Sequence, residues 1–257
     1  MLPDERRNFI YSYLHQYARV TIGDLAKLLD VSHMTVRRDV QCMEQEGKVV
    51  TISGGVKLNE VLRQELPYLE KSMLHHQSKR SIGAAAERLV ESGQVIYLDA
   101  GTTTYEAARC IASKLKKVTI ITNDFTISDF LMNMPHINLF HTGGQVDIRN
   151  RSCVGNSAAN FIRSLNIDVA FISTSSWDIE HGLSTPDEGK AQVKQAVLAS
   201  ARRNVLVSDS SKYGKYGMFH ICPLNELDDI IYDDLLPETI EEKLKLMHIG
   251  LHKATLH

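Results

Sequence analysis

Residues 25–56 read LAKLLDVSHMTVRRDVQCMEQEGKVVTISGGV, and their spacing decides the N-terminal fold. Val36, Val40 and Met43 recur at i, i+4 and i+7, the inward stripe of one helix. Ser32 stands in front of that stripe as its N-cap, and Gly47 ends it. The predicted helix therefore runs from Ser32 to about Glu46. Arg38, Gln41 and Gln45 lie opposite the apolar stripe, with Thr35 and Arg37 on its flanks. Upstream, Thr21 is followed three residues later by Asp24, a near capping box that opens a second helix burying Ile22, Leu25, Leu28 and Leu29. Only Asp30-Val31-Ser32 separates the two helices.

Helix, short turn, helix is the geometry that lays a second helix in the major groove of DNA. Arg37 and Arg38 carry guanidinium groups that pair bidentately with guanine O6 and N7 or with phosphate. Ser32, His33, Thr35 and Gln41 sit where polar side chains reach base edges. Residues 48–59, KVVTISGGVKLN, read as two extended runs joined at Gly54-Gly55, a hairpin in which glycine supplies the positive φ. This hairpin is the predicted wing, with Lys57 and main-chain amides toward phosphate. A first helix from Asp4, its cap, to about Tyr17 sets Phe9, Ile10, Tyr13, Leu14 and Tyr17 on one face. Charge does not separate a DNA-binding unit from a plain helical bundle with a surface arginine pair. Residues 1–58 hold eight Lys/Arg against seven Asp/Glu, a balance of +1.

Working outward, residues 59–77 are polar and charged with one proline, and read as a partly helical linker. From residue 78 to 257 apolar strand-like runs alternate with amphipathic helices. The strands are Gln94–Leu98, Val118–Thr122, Ile137–His141, Val169–Ser173 and Asn204–Ser208. The helices are near 79–91, 104–115, 125–133, 157–165 and 188–202, with a last one from Ile240 to Met247. Such alternation predicts an α/β domain with a largely parallel sheet covered on both faces. Ligands of such sheets sit beyond the carboxyl ends of the strands, where the polar and glycine-rich residues fall here.

The strongest of these loops is Asp99-Ala100-Gly101-Thr102-Thr103-Thr104. A strand delivers small residues onto a helix start, where free N–H groups, three hydroxyls and the positive helix end make an anion cradle. The same residues also suit a plain N-cap, and no GxxxxGK[ST] is present. Asn123 within TND, Gly143 and Gly144 within TGG, and Asp209, Ser211 and Lys212 within DSSK end three further strands. Each alone suits a capping turn or a solvated loop; their convergence on one sheet edge predicts a site for an anion, with Lys212 as its cation.

The bulk properties narrow the class. A length of 257 residues suits two domains, and 43% apolar with 23% charged residues is ordinary globular composition. No apolar run is long enough to span a membrane, and the mixed-charge N-terminus is not a secretory signal; a cytoplasmic protein is expected. Cys42, Cys110, Cys153 and Cys222 have no CxxC spacing, so neither zinc nor a disulfide framework is predicted. His75 and His76 read as solvated linker residues. His248, His252 and His257 lack the partners of a closed metal site, and no cofactor is expected.

The stretch V-S-x-x-T-V-R-R-D-V, with the hairpin after it, resembles the DeoR family of bacterial sugar-metabolism regulators, and the resemblance continues through nearly the whole chain. It implies a winged helix followed by a sensor domain similar to the ribose-5-phosphate isomerase and CoA-transferase fold. DAGTTT, TND, TGG and DSSKYG then match effector-binding loops, and Asp187 and Lys194 match the pattern around the next helix. The implied function is a repressor of a carbohydrate or sugar-acid catabolic operon, bound to operator DNA as a dimer or tetramer. A phosphorylated sugar or sugar acid would release it. An isomerase with an appended DNA-binding unit is the alternative, but Asp99, Asp178, Asp187 and Glu188 sit in no catalytic motif, so no enzyme is expected. Three departures stand out. The wing reads Thr51-Ile52-Ser53-Gly54-Gly55-Val56 instead of Arg-x-His-Gly-Gly-Ala. Lys190 replaces the usual Glu of Glu-Ala-x-x-Lys. Ser173 to Asp178 replaces a glycine-containing stretch.

Overall fold

The computed structural model describes residues 1–17 and 19–255; His257 lies outside the described residues. Helices α1 (Pro3–Gln16), α2 (Ile22–Leu29) and α3 (His33–Gln45) precede the hairpin β1 (Val49–Ile52) and β2 (Gly55–Leu58). Ile10, Leu14, Leu25, Leu29, Val36, Val40, Met43, Val49 and Val56 form one core. Thr21 accepts from the Asp24 N–H and Ser32 from the Thr35 N–H, so both caps act where the sequence sets them. Four details differ. The α1 cap is Leu2, with Pro3 at the first helical position and Glu5 closing back on the Leu2 N–H at 2.8 Å; Asp4 pairs with Arg7 instead. Phe9 and Tyr17 are exposed, stacked along α1 on either side of Tyr13. Leu28 is 50% exposed, because it lies about 100° around the helix from the face that Leu25 and Leu29 share. The hairpin pairs Ile52 with Gly55, so its turn is Ser53-Gly54, with Gly54 at φ 85°.

The linker is more structured than its composition predicts. It contains β3 (Glu60–Leu62) and α4 (Tyr68–Met73), and leads into α5 (His76–Glu87). The sensor domain then runs β4 (Val95–Leu98), α6 (Thr102–Ser113), β5 (Val118–Thr122), α7 (Phe125–Leu131), β6 (Ile137–His141), β7 (Gln145–Asp147), β8 (Ser152–Val154) and α8 (Gly155–Arg163). It continues with β9 (Val169–Ile172), β10 (Ser176–Asp178), β11 (Gly182–Thr185), α9 (Glu188–Ser200), β12 (Asn204–Ser208), β13 (Lys215–Gly217), β14 (Phe219–Cys222), β15 (Asp229–Asp233), α10 (Glu238–Lys245) and β16 (Gly250–Ala254).

Seven strands make one parallel sheet in the order β16-β15-β12-β9-β4-β5-β6. Alternate side chains feed two cores: Ile96, Leu98, Phe171 and Val207 pack under α5, α6 and α7, and Tyr97, Ala170, Ile172 and Leu206 under α8, α9 and α10. Burial on both faces is why these strands read as continuous apolar runs. A smaller antiparallel sheet, β10-β11-β14, flanks the large one. The chain leaves β4 toward β5 on one side, while β9 pairs on the other, so the order reverses at β4. That reversal opens a crevice at the carboxyl ends of β4 and β9.

The winged helix rests on the sensor domain. Val50 joins the sensor core, and a Cβ at Gly214, where φ is 73°, would overlap its side chain. Lys243 reaches Glu44 at 3.4 Å, and Asn59 reaches Asp178 at 3.4 Å. Below the wing, β3 pairs in parallel with β13, Glu60 opposite Lys215 through Leu62 opposite Gly217.

Candidate functional site

On the recognition helix, Arg37 and Arg38 are exposed, and among the described residues neither makes an ion pair or hydrogen bond. The neighbouring Asp39 points inward instead. It is buried and takes the Arg6 guanidinium at 2.7 and 3.3 Å, pinning α1 to α3. The arginine pair is thus turned out because the next residue anchors the helix inside. His33 is exposed, and the Ser32 and Thr35 hydroxyls share a 2.9 Å hydrogen bond at the helix start. Gln41 is exposed, but it borders a cleft against Asp178, Ile179 and Glu180 of the sensor domain. The open surface is therefore the first two turns of α3, the part that meets base edges in this motif. Lys57 is half-buried opposite Val50, on the hairpin face that packs toward the sensor core. The exposed tip of the wing is Ser53-Gly54.

The second site is a cavity at the β4/β9 crevice. From the β4 loop it is lined by Asp99, Ala100, Gly101, Thr102 and Thr103, and from the β9 loop by Ser173, Thr174 and Ser175. Helix α9 adds Lys190, Val193 and Lys194, the DSSK loop adds Lys212, and Asn123, Asn150 and Ser152 close one side. The linker supplies Glu65, Tyr68 and Lys71.

Several lining groups hold the cavity's shape. One Asp99 carboxylate oxygen accepts from Ser173 N at 3.0 Å, from Ser173 Oγ at 3.1 Å, and from the Lys194 ammonium, which also donates to Ser173 O at 2.8 Å. Asn123 accepts from the Tyr97 hydroxyl and donates to Cys153 O, both at 2.9 Å, so its amide is committed to the wall. Gly101 passes so close to Ser173 that a Cβ would lie 2.7 Å from Ser173 Oγ. Behind it, Asp124 takes the Gly101 N–H at 3.1 Å and caps α7 through the Thr126 and Ile127 amides. Burial pushes the Asp124 carboxyl up to about 6.

Other groups are left for a ligand. The first-turn amides of α6 have no helical carbonyl to bond. Asn150 Oδ1, Ser152 Oγ and Ser175 Oγ are buried without a hydrogen-bond partner among the described residues; such atoms carry a desolvation cost that a ligand relieves. Lys212 lines the cavity, and among the described residues it has no ion pair or hydrogen bond through its ammonium.

The remaining sequence-predicted positions stand outside this lining. Thr104 is fully buried, and its hydroxyl donates to Asp99 O at 2.6 Å and Gly101 O at 2.8 Å. Asp187 caps α9 through the Lys190 N–H at 2.9 Å. Asp209 Oδ1 accepts from the Ser211 N–H and hydroxyl, while its Oδ2 is buried without a hydrogen-bond partner among the described residues. Gly143 and Gly144 form the turn after β6, with φ of 66° and 114°. Of the segment 173–178, only the first three residues face the cavity; Trp177 is fully buried, donating to Ser208 Oγ at 3.0 Å. Among the described residues no group of three or more His, Cys, Asp or Glu could hold a metal ion, and no helix is long and apolar enough to cross a membrane.

The linker residues and Lys190 form a cluster that sequence reasoning did not assemble. Glu65 pairs with Lys190 at 2.9 Å and Lys71 at 3.2 Å, and Lys190 also reaches Asp147 at 3.1 Å. Burial alone would raise the Glu65 carboxyl, but Lys71 and Lys190 outweigh it and hold that group well below the usual carboxylate range. The buried Lys79 ammonium, lowered by burial to about 8, donates to Leu74 O at 2.7 Å and to Lys71 O, closing the end of α4. The one visible signal in the sequence was the charge reversal at Lys190.

Residues 6–61 match the DeoR-like helix-turn-helix domain, and residues 74–234 match the DeoR C-terminal sensor domain. The chain is 45% identical over 251 residues to a helix-turn-helix-type transcriptional regulator of Haemophilus influenzae, covering 98% of this chain and 97% of the relative. It is 32% identical to a putative aga operon transcriptional repressor of Escherichia coli, over 94% of this chain and 90% of the other. Among solved structures, ribose-5-phosphate isomerase A of Methanocaldococcus jannaschii aligns with 52% of this chain and 53% of its own at 20% identity and a TM-score of 0.39. With both domain models matched, and such identity over nearly its full length, the protein belongs to the DeoR family of helix-turn-helix transcriptional regulators.

Proposed function

We propose that the protein is a cytoplasmic repressor that binds operator DNA as a dimer or tetramer and is released by a phosphorylated sugar or sugar acid. His33, Thr35, Arg37 and Arg38 on the first turns of α3 are its base- and phosphate-contacting groups. Two such helices, held by association of the sensor domains, read two half-sites. A repressor role is supported by the relative named for the aga operon. Catalysis is not part of the proposal. The cavity's carboxylates are engaged, Asp99 by Lys194 and Glu65 by Lys71 and Lys190, and an engaged carboxylate is a poor general base.

The observation that carries the effector reading is Lys212, a cation without a partner among the described residues, lining the same cavity as the first turn of α6. Ammonium and helix N-terminus together suit a phosphate. The test is Lys212→Ala in the full chain. Loss of one charge-assisted hydrogen bond costs about 1.5–3 kcal/mol, so effector affinity falls roughly 10- to 150-fold, while operator affinity without effector stays unchanged. Calorimetry showing equal effector affinity for variant and parent would remove Lys212 from the site. Release from DNA by an unphosphorylated compound alone would sink the phosphate reading.

A further inference from the structure

Glu65 occupies the cavity in the way a ligand carboxylate would. It lies between two lysines that both line the cavity, and it accepts from the Thr185 hydroxyl at 3.3 Å. Four lysines face the cavity against two carboxylates, Glu65 and Asp99. With Lys194 tied to Asp99, Lys71 tied to Glu65, and Lys190 tied to both Glu65 and Asp147, one cation, Lys212, is open among the described residues. A ligand with a single anionic group needs nothing more. In the same lining, the orphaned Asn150 Oδ1 can only accept, and Ser152 Oγ can donate or accept; the two residues are 8% and 1% exposed. An acceptor buried without a donor suits a ligand hydroxyl. The cavity thus offers one open cation, polyol-binding groups, and two cations held by a carboxylate of the chain itself.

We propose, resting on the reading of this cavity as the effector site, that the effector is a polyhydroxy chain with two anionic groups. The second group takes the place of the Glu65 carboxylate between Lys71 and Lys190. The exchange keeps both ammonium groups paired, so it is nearly balanced locally; what changes is the position of the linker. Glu65 lies three residues beyond β3 and seven beyond the end of the wing strand β2. On its other side α4 is fixed by Tyr68 N donating to Arg149 O at 2.9 Å and by the Lys79 clamp. Expulsion of Glu65 therefore has to be absorbed by β3, whose parallel pairing with β13 and whose one-residue link to the wing make it the element that carries binding to the DNA-reading unit. The charge reversal at Lys190 makes this possible: a glutamate there would repel both Glu65 and a second ligand anion.

The test uses the full chain with phosphorylated aldonates of four to six carbons, bisphosphates, and alditol monophosphates of the same lengths. A two-anion compound should bind the parent at least about tenfold more tightly than the monophosphate of its length, since one further charge-assisted contact is gained. It should also raise amide hydrogen exchange over residues 60–74. Glu65→Gln, which removes the competing charge, should tighten the two-anion compound about tenfold more than it tightens the monophosphate. A preference for bisphosphates supports the proposal and identifies the second group as phosphate. Equal affinity of one- and two-anion compounds for the parent, or a two-anion compound that leaves or increases protection of residues 60–74, overturns this inference while the effector reading stands. If no phosphorylated compound binds at all, both fall. Should Glu65→Gln not fold, the ligand comparison and the exchange measurement on the parent decide alone.

Discussion

Gly101→Ala tests whether the cavity at the β4/β9 crevice depends on a single backbone approach. The added methyl would sit 2.7 Å from Ser173 Oγ and 3.0 Å from Ser173 Cβ. Rotating the serine relieves the first contact but not the second, so the two loops must also part by a few tenths of an ångström. Rotation gives up the Ser173 hydroxyl bonds to the Asp99 carboxylate at 3.1 Å and to Ala100 O at 2.7 Å. The single Ser173 O–H is shared between these two acceptors, and a bond to a charged group contributes about 1.5–3 kcal/mol; because Ser173 is half-buried, water recovers part of this, while parting the loops adds strain. Alanine's smaller backbone entropy returns a few tenths of a kcal/mol up to about 1 kcal/mol. The balance is a loss of about 1–3 kcal/mol, or a Tm fall of roughly 2–12 °C for a domain of this size. The assay is a double-mutant cycle with Ser173→Ala, followed by thermal or denaturant unfolding. In the Ser173→Ala background the hydroxyl bonds are already absent, so Gly101→Ala should cost about 1 kcal/mol less there than in the parent. Additive effects would refute the reasoning, because they would mean that the methyl is not accommodated at the expense of the Ser173 hydroxyl.

Arg38→Ala should lower affinity for an operator selected from random DNA by about 1–3 kcal/mol at fixed salt with an unchanged melting temperature; unaltered binding would remove Arg38 from the interface. Arg6→Ala is not a neutral control for it, since it leaves the buried Asp39 without its guanidinium partner, and should lower thermal stability. Gly83→Ala would set a methyl 2.6 Å from the Glu106 carbonyl carbon where α5 crosses α6. Overpacking of about 1–3 kcal/mol against backbone should outweigh the helix-propensity gain of about 1 kcal/mol, and a higher melting temperature would contradict that contact. Asp124 is raised to about 6 in the folded protein, so the folded state keeps a proton that the unfolded chain releases near pH 4. Its stabilisation is full below that pH and is lost as pH rises through about 6. The stability difference between the parent and Asp124→Asn should narrow between pH 4 and 7, and a constant difference would show that burial does not perturb this carboxyl.

The elements that could be read from residues alone are those whose partners are near in sequence. The apolar stripe of α3 needs only a 3.6-residue period, and the Thr21 and Ser32 caps only a side chain three residues from its amide. Strands β5 and β12 stand where their apolar runs predict, because a strand covered on both faces must be apolar throughout; β6 also stands where predicted, at the sheet edge, with alternate residues exposed. Strands β15 and β16 were not legible. Asp229 sits at the start of β15 because Arg203 at 2.6 Å neutralises it and His252 hydrogen-bonds it at 2.7 Å, and neither partner can be inferred from a run of acids. The half-exposed β16 carries no strand signal of its own for the same reason. The turn of the wing was displaced by one residue, since two adjacent glycines do not say which of them pairs.

The cavity divides along the same line. Composition of the strand-end loops determined that small, hydroxyl-bearing and cationic residues gather at one edge of the sheet, since a parallel sheet brings all its carboxyl ends together. Which of those groups remain open to a ligand was decided by tertiary structure. Ser211 is spent on Asp209 Oδ1, Lys194 is tied to an Asp99 that lies 95 residues away, and Lys212 keeps its charge unpaired among the described residues. The sequence could show that Lys190 reverses a charge, but not that the charge is met by Glu65, 125 residues earlier. An ion pair leaves no periodicity in the chain. Its two halves meet only because β3 pairs with β13 and returns the linker to the sheet edge.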